Sequence, residues 1–141
     1  MADNPIITIE TNINVPVEKV WKYWTTPEDI HQWNNASTDW HTTHAENDLR
    51  IGGKFMSRME AKDGSMGFNF GGTYDDLKVN EYLAYTLVDG RKVIIRFNAS
   101  GNKTKITETF DAEMENSIEL QRSGWQSILD NFRHYAERNT L

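Results

Sequence analysis

Residues 116–139, NSIELQRSGWQSILDNFRHYAERN, carry an apolar stripe at the spacing of an α-helix. The stripe consists of Trp125, Ile128, Leu129, Phe132, Tyr135 and Ala136. Asn116 is the predicted N-cap, and the helix is expected to run to about Asn139. At about 1.5 Å per residue, such a helix is roughly 36 Å long, which is enough to cross a small domain. The sequence therefore predicts one long helix at the carboxyl end.

The segment before this helix, residues 39–112, alternates apolar and polar side chains as β-strands do. Asp63-Gly64 and Asp89-Gly90 predict hairpins with type I′ turns, in which both central residues need positive φ. Asn80-Glu81 and Gly101-Asn102 predict two further turns. The strands are expected at about Trp40–Glu46, Lys54–Ala61, Met66–Lys78, Tyr82–Leu87, Lys92–Ala99 and Lys103–Ala112.

The amino-terminal part predicts one more strand and two short helices. Residues Ile6–Ile13 alternate, with Ile7, Ile9, Thr11 and Ile13 on one face. Pro16 begins a short amphipathic helix that contains Val17, Val20, Trp21 and Trp24. A second short helix follows Thr26, its expected N-cap, with Pro27 at N1 and Asp29 reaching back as in a capping box.

The order of these elements, β, α, α, six β and α, predicts an α+β fold. Gly52-Gly53 and Gly71-Gly72 fall at strand starts or within strands, where they indicate bends or bulges of a strongly curved antiparallel sheet. The 141 residues suit a single domain, which we place at 1–141. The fold is thus expected to have about seven strands around the long C-terminal helix.

Composition excludes several classes of function. The chain has no cysteine, so disulfides and thiolate chemistry are excluded, and a reducing, cytoplasmic location is expected. The formal net charge is −6, which leaves no basic footprint for nucleic acid. No apolar run approaches the roughly 20 residues that span a bilayer, and the first residues lack the features of a secretory signal.

Several segments together resemble one known family. They are PVEKVW at 16–21, WTTPE at 24–28, Trp33, DLRIGGKF at 48–55, GTY at 72–74 and GWQSILDNF at 124–132. The chain resembles the START-like (SRPBCC) superfamily, within the branch named after the activator of the Hsp90 ATPase. The resemblance implies a helix-grip fold with a deep cavity between the sheet and the C-terminal helix. Many members are single bacterial domains, whereas the Hsp90 co-chaperones of this name have a further N-terminal half that this chain has no room for.

Three functions are compatible with such a cavity. The first is binding of a small hydrophobic or aromatic molecule, such as a lipid or polyketide, without turnover. The second is a protein-interaction domain related to chaperones, as the family name suggests. The third is a cyclase or dehydratase that uses the same cavity. We favour the first, and we expect no cofactor, no metal, and a monomer or homodimer.

Twelve residues are candidates for the cavity lining, because a curved sheet and one helix leave a volume that side chains do not always fill. They are Trp33, Trp40, Phe55, Met59, Phe68, Phe70, Tyr74, Ile95, Phe97, Gly124, Trp125 and Ile128. The alternative is that each of them is an ordinary core residue. For Gly124 the alternatives are free space beside Trp125 or close packing of the helix against a strand.

The polar candidates are less well defined by the sequence. Strand alternation places Arg96 on the face opposite Ile95, which favours an outward side chain. Glu108 shares strand parity with Ile106 and Phe110, which is compatible with an inward carboxylate and equally with a bulge or an exposed strand end. Tyr74 and Tyr85 are expected as amphipathic core residues whose hydroxyls can donate into the pocket.

The histidines do not predict a metal site. His41 and His44 are three residues apart on a strand, so they are expected to face opposite sides of the sheet. His31 and His134 fall on predicted helices and are expected to be exposed.

Overall fold

The computed structural model describes residues 5–35 and 37–140. Its centre is a seven-stranded antiparallel sheet in the order β1-β7-β6-β5-β4-β3-β2, curled into a half-barrel. The strands are β1 (Ile6–Ile13), β2 (Trp40–Asn47), β3 (Lys54–Ala61), β4 (Gly67–Lys78), β5 (Tyr82–Leu87), β6 (Lys92–Ser100) and β7 (Lys103–Asp111). All seven predicted strands are confirmed to within about one residue at each end. β1, the first strand in the chain, pairs with β7, the last one, so the two edge strands of the sheet are β1 and β2.

Two short helices, α1 (Val17–Thr25) and α2 (Pro27–Trp33), connect these two edge strands. Both were predicted, but the amino-terminal cap of α2 differs from the expectation. Thr26 makes no side-chain cap bond. Asp29 does not complete a capping box, because its Oδ1 atom accepts a hydrogen bond from the hydroxyl of Tyr135 at 2.5 Å. The side chain that was expected to cap α2 therefore ties it to the C-terminal helix instead.

The C-terminal helix, α3, spans Ile118–Arg138. Its N-cap is Ser117 and not Asn116, because the Ser117 Oγ atom accepts a hydrogen bond from the backbone N–H of Leu120 at 3.1 Å. The predicted apolar stripe faces the sheet, but its two halves differ. Leu129, Phe132, Tyr135 and Ala136 are buried, whereas the two earliest members, Trp125 and Ile128, are only half-buried.

Neighbouring strands leave no room for a side chain at the glycine pair in the centre of β4. A Cβ atom on Gly72 would lie 2.3 Å from the backbone oxygen of Thr86, and one on Gly71 would lie 2.5 Å from that of Phe55. No other residue fits such close approaches of neighbouring strands. A break in register between Tyr74 and Asp76 adds a bulge to the same strand. The bulge thus lies beyond the glycine pair, which itself stays in regular register with both neighbouring strands.

The hairpin turns lie where they were predicted, but they are not of type I′. Gly64 and Gly90 have φ values of 78° and 94°, whereas the aspartates before them are not among the described residues with positive φ. In the second turn the N–H of Gly90 bonds to Leu87, whose own N–H bonds to Arg91. This is a three-residue loop that ends in a left-handed glycine. Such a loop needs only one residue with positive φ, because its extra residue accommodates the twist of the two strands.

The sheet has one buried and one exposed face. Along β6, the buried side chains are Val93, Ile95 and Phe97, and the side chains between them, Arg96 included, are exposed. The outward position expected for Arg96 is therefore confirmed. The core lies on the concave side, between the sheet and the three helices. No helix in the described part of the chain is long and apolar enough to cross a membrane.

Candidate functional site

A cavity of about 370 Å³ lies between the concave face of the sheet and the first half of α3. Its inner wall comes from β3, β4, β5 and β7, and its roof comes from Gly124, Trp125 and Ile128 on α3. Phe68 and Leu120 also line it and are exposed, so the mouth of the cavity lies between them. The volume is within the range of small-molecule sites in proteins.

Nine of the twelve predicted lining residues surround this cavity. They are Trp33, Phe55, Met59, Phe68, Phe70, Tyr74, Gly124, Trp125 and Ile128. Trp40, Ile95 and Phe97 do not line it. Whether the nine contact a ligand remains a prediction.

The three other residues are kept from the cavity by their neighbours. The ring of Phe97 packs edge-on against those of Trp21 and Trp24, at centroid distances of 5.2 and 6.1 Å, so α1 fills this part of the concave face. Ile95 lies on the same strand and is fully buried in the core. Trp40 packs against Phe68 at 5.7 Å near the cavity mouth.

The wall of the cavity is held in place by contacts between aromatic rings. Trp125 stacks on Phe110, with a centroid distance of 3.8 Å and an angle of 10°. Phe70 meets Trp125 edge-on at 6.0 Å, and Phe55 meets Tyr85 edge-on at 4.7 Å. Flat aromatic groups of a ligand would find suitable partners among the rings that line this space.

Gly124 opens the roof of this cavity. A Cβ atom added to it would have no heavy atom within 4 Å outside its own helix. Of the two alternatives for Gly124, close packing of the helix against a strand is therefore wrong. The missing side chain leaves free space beside Trp125, as the other alternative predicts.

In one part of the cavity wall, polar side chains hydrogen-bond to each other and to the backbone. The Tyr74 hydroxyl donates to Oδ1 of Asn47 at 2.6 Å, and Nδ2 of Asn47 donates to the backbone oxygen of Thr25 at 2.6 Å. These hydrogen bonds join β4 to β2 and to the end of α1. Burial raises the pKa of the Tyr74 hydroxyl well above its usual range, so it remains a donor at neutral pH.

Two further polar groups in the wall have no such partner. Glu108 and Tyr85 are 5% and 6% exposed, and neither the Glu108 carboxyl nor the Tyr85 hydroxyl hydrogen-bonds to a described residue. Burial raises the pKa of the Glu108 carboxyl to about 8. Burial, followed by the nearby charge of Glu108, raises the pKa of Tyr85 well above its usual value. At neutral pH both groups therefore hold a proton.

The mouth is shaped by the loop between β7 and α3. The Gln121 side chain accepts a hydrogen bond from the N–H of Glu113 at 2.8 Å and donates to the backbone oxygens of Glu113 and Asn116. Asn116, the expected helix cap, instead lines the cavity entrance. Arg91 also lies in the lining, where Asp89 holds its Nε atom at 2.7 Å.

The lining residues outside the twelve named candidates fall into two groups. Glu108 and Tyr85 were already polar candidates, and alternation along β3 puts Ser57 on the same face as Phe55 and Met59, so a signal existed for these three. Those at the mouth had no signal, because they come from loops and helix ends that have no period of two. They include Asn34, Glu46, Glu113, Asn116 and Leu120.

The four histidines lie outside this cavity and are exposed. A break in register between Thr42 and His44 lies between the two histidines of β2. His44 contacts Glu46 at 3.2 Å. Within residues 5–35 and 37–140, no three His, Asp or Glu side chains are grouped as metal ligands.

The chain is similar to one family of known sequences and to several solved structures. A model of the family described as "Activator of Hsp90 ATPase homolog 1-like protein" matches residues 14–137. The AHSA1-like protein from Aeromonas hydrophila is 44% identical, with a TM-score of 0.89 over 95% of this chain and 93% of that one. No curated protein matches the chain significantly in sequence.

Two other solved structures are also similar to this chain. A protein from Cytophaga hutchinsonii is 52% identical, with a TM-score of 0.81 over 94% of this chain and 92% of that one. A protein from Chromobacterium violaceum is 20% identical, with a TM-score of 0.84 over 94% and 98% of the two chains. At that identity the last likeness concerns the fold alone. The predicted START-like, helix-grip fold is confirmed.

Proposed function

The chain belongs to the family of Activator of Hsp90 ATPase homolog 1-like proteins, and from that premise we propose that it is a single domain that holds a small hydrophobic or aromatic molecule in its cavity without converting it. The observation that carries this proposal is the open space of about 370 Å³ beside Gly124, in a wall that contains eight aromatic side chains. Protein interiors are normally packed to crystal-like density, so a space of this size needs an occupant or a reason. A lipid- or polyketide-like ligand supplies the occupant.

Native mass spectrometry of the purified protein, followed by a thermal-shift screen of fatty acids, flavonoids and aromatic polyketides, tests the proposal. A co-purified small molecule, or a rise in melting temperature that grows with ligand concentration as linkage requires, supports it. If neither is found, the proposal fails. A protein partner of the kind the family name suggests then becomes the better explanation of the fold.

A matched pair of variants locates the binding. Gly124→Leu fills the roof of the cavity, whereas Ser123→Leu adds the same side chain at an exposed position one residue away. We expect Gly124→Leu to lower the affinity for any ligand found by at least about tenfold, which corresponds to about 1.4 kcal/mol. Ser123→Leu should leave the affinity unchanged. Equal affinities in the two variants would place the ligand outside the cavity.

A second candidate function is catalysis in the same cavity, by a cyclase or dehydratase. The observation that favours it is the pair Glu108 and Tyr85, two polar groups with shifted pKa values in one apolar site. A carboxyl group with a pKa near neutrality suits general acid–base catalysis. Mass-spectrometric analysis of the screened compounds after incubation separates the two functions, since a binding protein returns each compound unchanged.

A further inference from the structure

Glu108 and Tyr85 face the same part of the cavity from strands that are separated by one neighbour. In the sheet register, Glu108 pairs with Ile95 on β6, and Ile95 pairs with Leu83 on β5. Tyr85 lies two residues beyond Leu83, on the same concave face. Both side chains line the cavity. The charge of Glu108 contributes to the raised pKa of the Tyr85 hydroxyl, so the two groups are near enough to interact electrostatically.

These two groups differ from the other tyrosine in the wall. Tyr74 has its own acceptor in Asn47, whereas Tyr85 and Glu108 have no hydrogen-bond partner among the described residues. Buried polar groups without partners are rare in native proteins, because each one gives up its hydration without compensation. Both groups remain accessible from the cavity, since neither is among the fully enclosed unpartnered atoms. We therefore expect a ligand that enters the cavity to supply the missing hydrogen-bond partner.

The chemistry of that partner follows from what the two groups can offer. Both carry a proton at neutral pH, so each presents an O–H donor. A carbonyl oxygen has two lone pairs and accepts two hydrogen bonds. The rings around the pair, among them Phe55 and Trp125, favour an apolar remainder.

We infer that the Glu108 carboxyl and the Tyr85 hydroxyl together bind the carbonyl oxygen of a ligand, such as an aryl ketone, whose remaining surface is apolar. The inference rests on the proposed function, because it names the chemical class that the cavity selects. The ligand class that competes with it is an amine, which would bind as an ammonium ion to an ionised Glu108 and to the aromatic faces.

Three probes of one rigid shape distinguish these cases: fluorene, 9-fluorenone and 9-aminofluorene. They differ only at one carbon, which carries hydrogen, a carbonyl oxygen or an amine. Dissociation constants are measured by isothermal titration calorimetry. We expect 9-fluorenone to bind at least about tenfold more tightly than fluorene, the ratio that one or two net hydrogen bonds provide.

Four variants assign that difference to the two groups. Tyr85→Phe and Glu108→Leu should each remove most of the advantage of 9-fluorenone and leave fluorene binding unchanged. Glu108→Gln keeps an N–H donor and should stay within about threefold of the wild type, because an amide replaces one hydrogen bond by another. Tyr82→Phe is the matched control, because it removes a tyrosine hydroxyl from the opposite face of the same strand, outside the cavity, and it should not affect the ratio. Circular dichroism confirms that each variant is folded.

The possible failures are distinct. Equal binding of fluorene and 9-fluorenone overturns the inference and leaves the proposed function standing. Tightest binding of 9-aminofluorene, with its loss in Glu108→Gln, overturns the inference in favour of an amine ligand. Binding of none of the three by folded wild-type protein counts against the proposed function itself, and the inference fails with it.

Discussion

The two ends of the concave face are both rich in aromatic residues, yet one is packed and the other is open. At the closed end, Trp21, Phe97 and Phe132 are 7%, 3% and 0% exposed. At the open end, Phe55, Phe70 and Trp125 are only half-buried. Trp24 and Trp33 mark the boundary, because both pack on Phe132 at 4.8 Å and also line the cavity.

The difference comes from what lies opposite the sheet and not from residue type. Helices α1 and α2 add their side chains to the closed end, where α3 contributes Phe132. At the open end the first half of α3 lies opposite, and it presents Gly124, which has no side chain. Aromatic residues are thus needed for such a cavity but do not by themselves create one.

The largest effect is expected from truncation at the closed end. Phe132→Ala removes a fully buried ring that contacts Trp24 and Trp33, and it should lower the free energy of unfolding by about 3–5 kcal/mol. Phe70→Ala at the open end should cost less than half as much, because that ring already borders empty space. Urea denaturation of the two variants measures both values. Equal losses would mean that the two ends are packed alike.

The next largest effect concerns the buried carboxyl group. The pKa of Glu108 is raised from 4.5 to about 8, so the folded protein holds this proton more tightly than the unfolded chain does. The free energy of unfolding of the wild type should therefore fall between about pH 4.5 and pH 8 through this group. Glu108→Gln removes the dependence, and its advantage above pH 8 should approach roughly 5 kcal/mol at about 1.4 kcal/mol per pKa unit.

Urea denaturation at a series of pH values measures this advantage. Below about pH 4.5 the two proteins should differ little, because the carboxyl group is then protonated in both the folded and the unfolded state. Glu46→Gln, an exposed carboxylate at the cavity mouth, is the control and should change stability by less than about 0.5 kcal/mol at any pH. A pH-independent difference for Glu108→Gln would show that the carboxyl group is solvated.

A smaller effect separates the two tyrosines of the open end. Tyr74→Phe breaks the bond to Asn47 and leaves its Oδ1 atom without a donor, which should cost about 1–2 kcal/mol. Tyr85→Phe removes a hydroxyl that has no protein partner, and its effect should lie within about 0.5 kcal/mol of zero or be stabilising. Thermal and urea unfolding compare the pair. A larger loss for Tyr85→Phe would reveal a partner for its hydroxyl.

The smallest effect is expected at the roof. Gly124→Ala adds a methyl group that meets no neighbour, and it should stabilise the helix by about 0.5–1 kcal/mol. The same substitution at Gly72 should destabilise, because its Cβ would lie 2.3 Å from the Thr86 oxygen. Chemical denaturation shows both signs. Destabilisation by Gly124→Ala would indicate that α3 packs closely at this position.

Most of the fold could be predicted because its signals are local. Strand alternation, turn residues and the helical stripe of α3 each depend on neighbours within a few positions. The misplaced features were cap and turn details, such as Ser117 in place of Asn116. These depend on which of several suitable residues adopts the required backbone angles, and that is settled when the elements pack.

The candidate site was predicted only in part, for the same reason. The alternation of side chains along each strand identified the inward faces. Most of the inward aromatic residues that were named do border the cavity. Alternation could not show that Phe97 is covered by α1 while Phe70 is not, because both are inward aromatic residues of the same sheet. Loop residues at the mouth, such as Asn116, had no periodic signal at all.

By itself the sequence determined the kinds of element, their order and the inward faces of the strands, since these follow from short-range periodicity and backbone preference. Only the tertiary structure decided where the concave face stays empty. That outcome depends on the positions of three helices over one curved sheet, and on the absence of a side chain at Gly124. It also decided that Glu108 and Tyr85, which are 23 residues apart in the chain, share one apolar space without a partner.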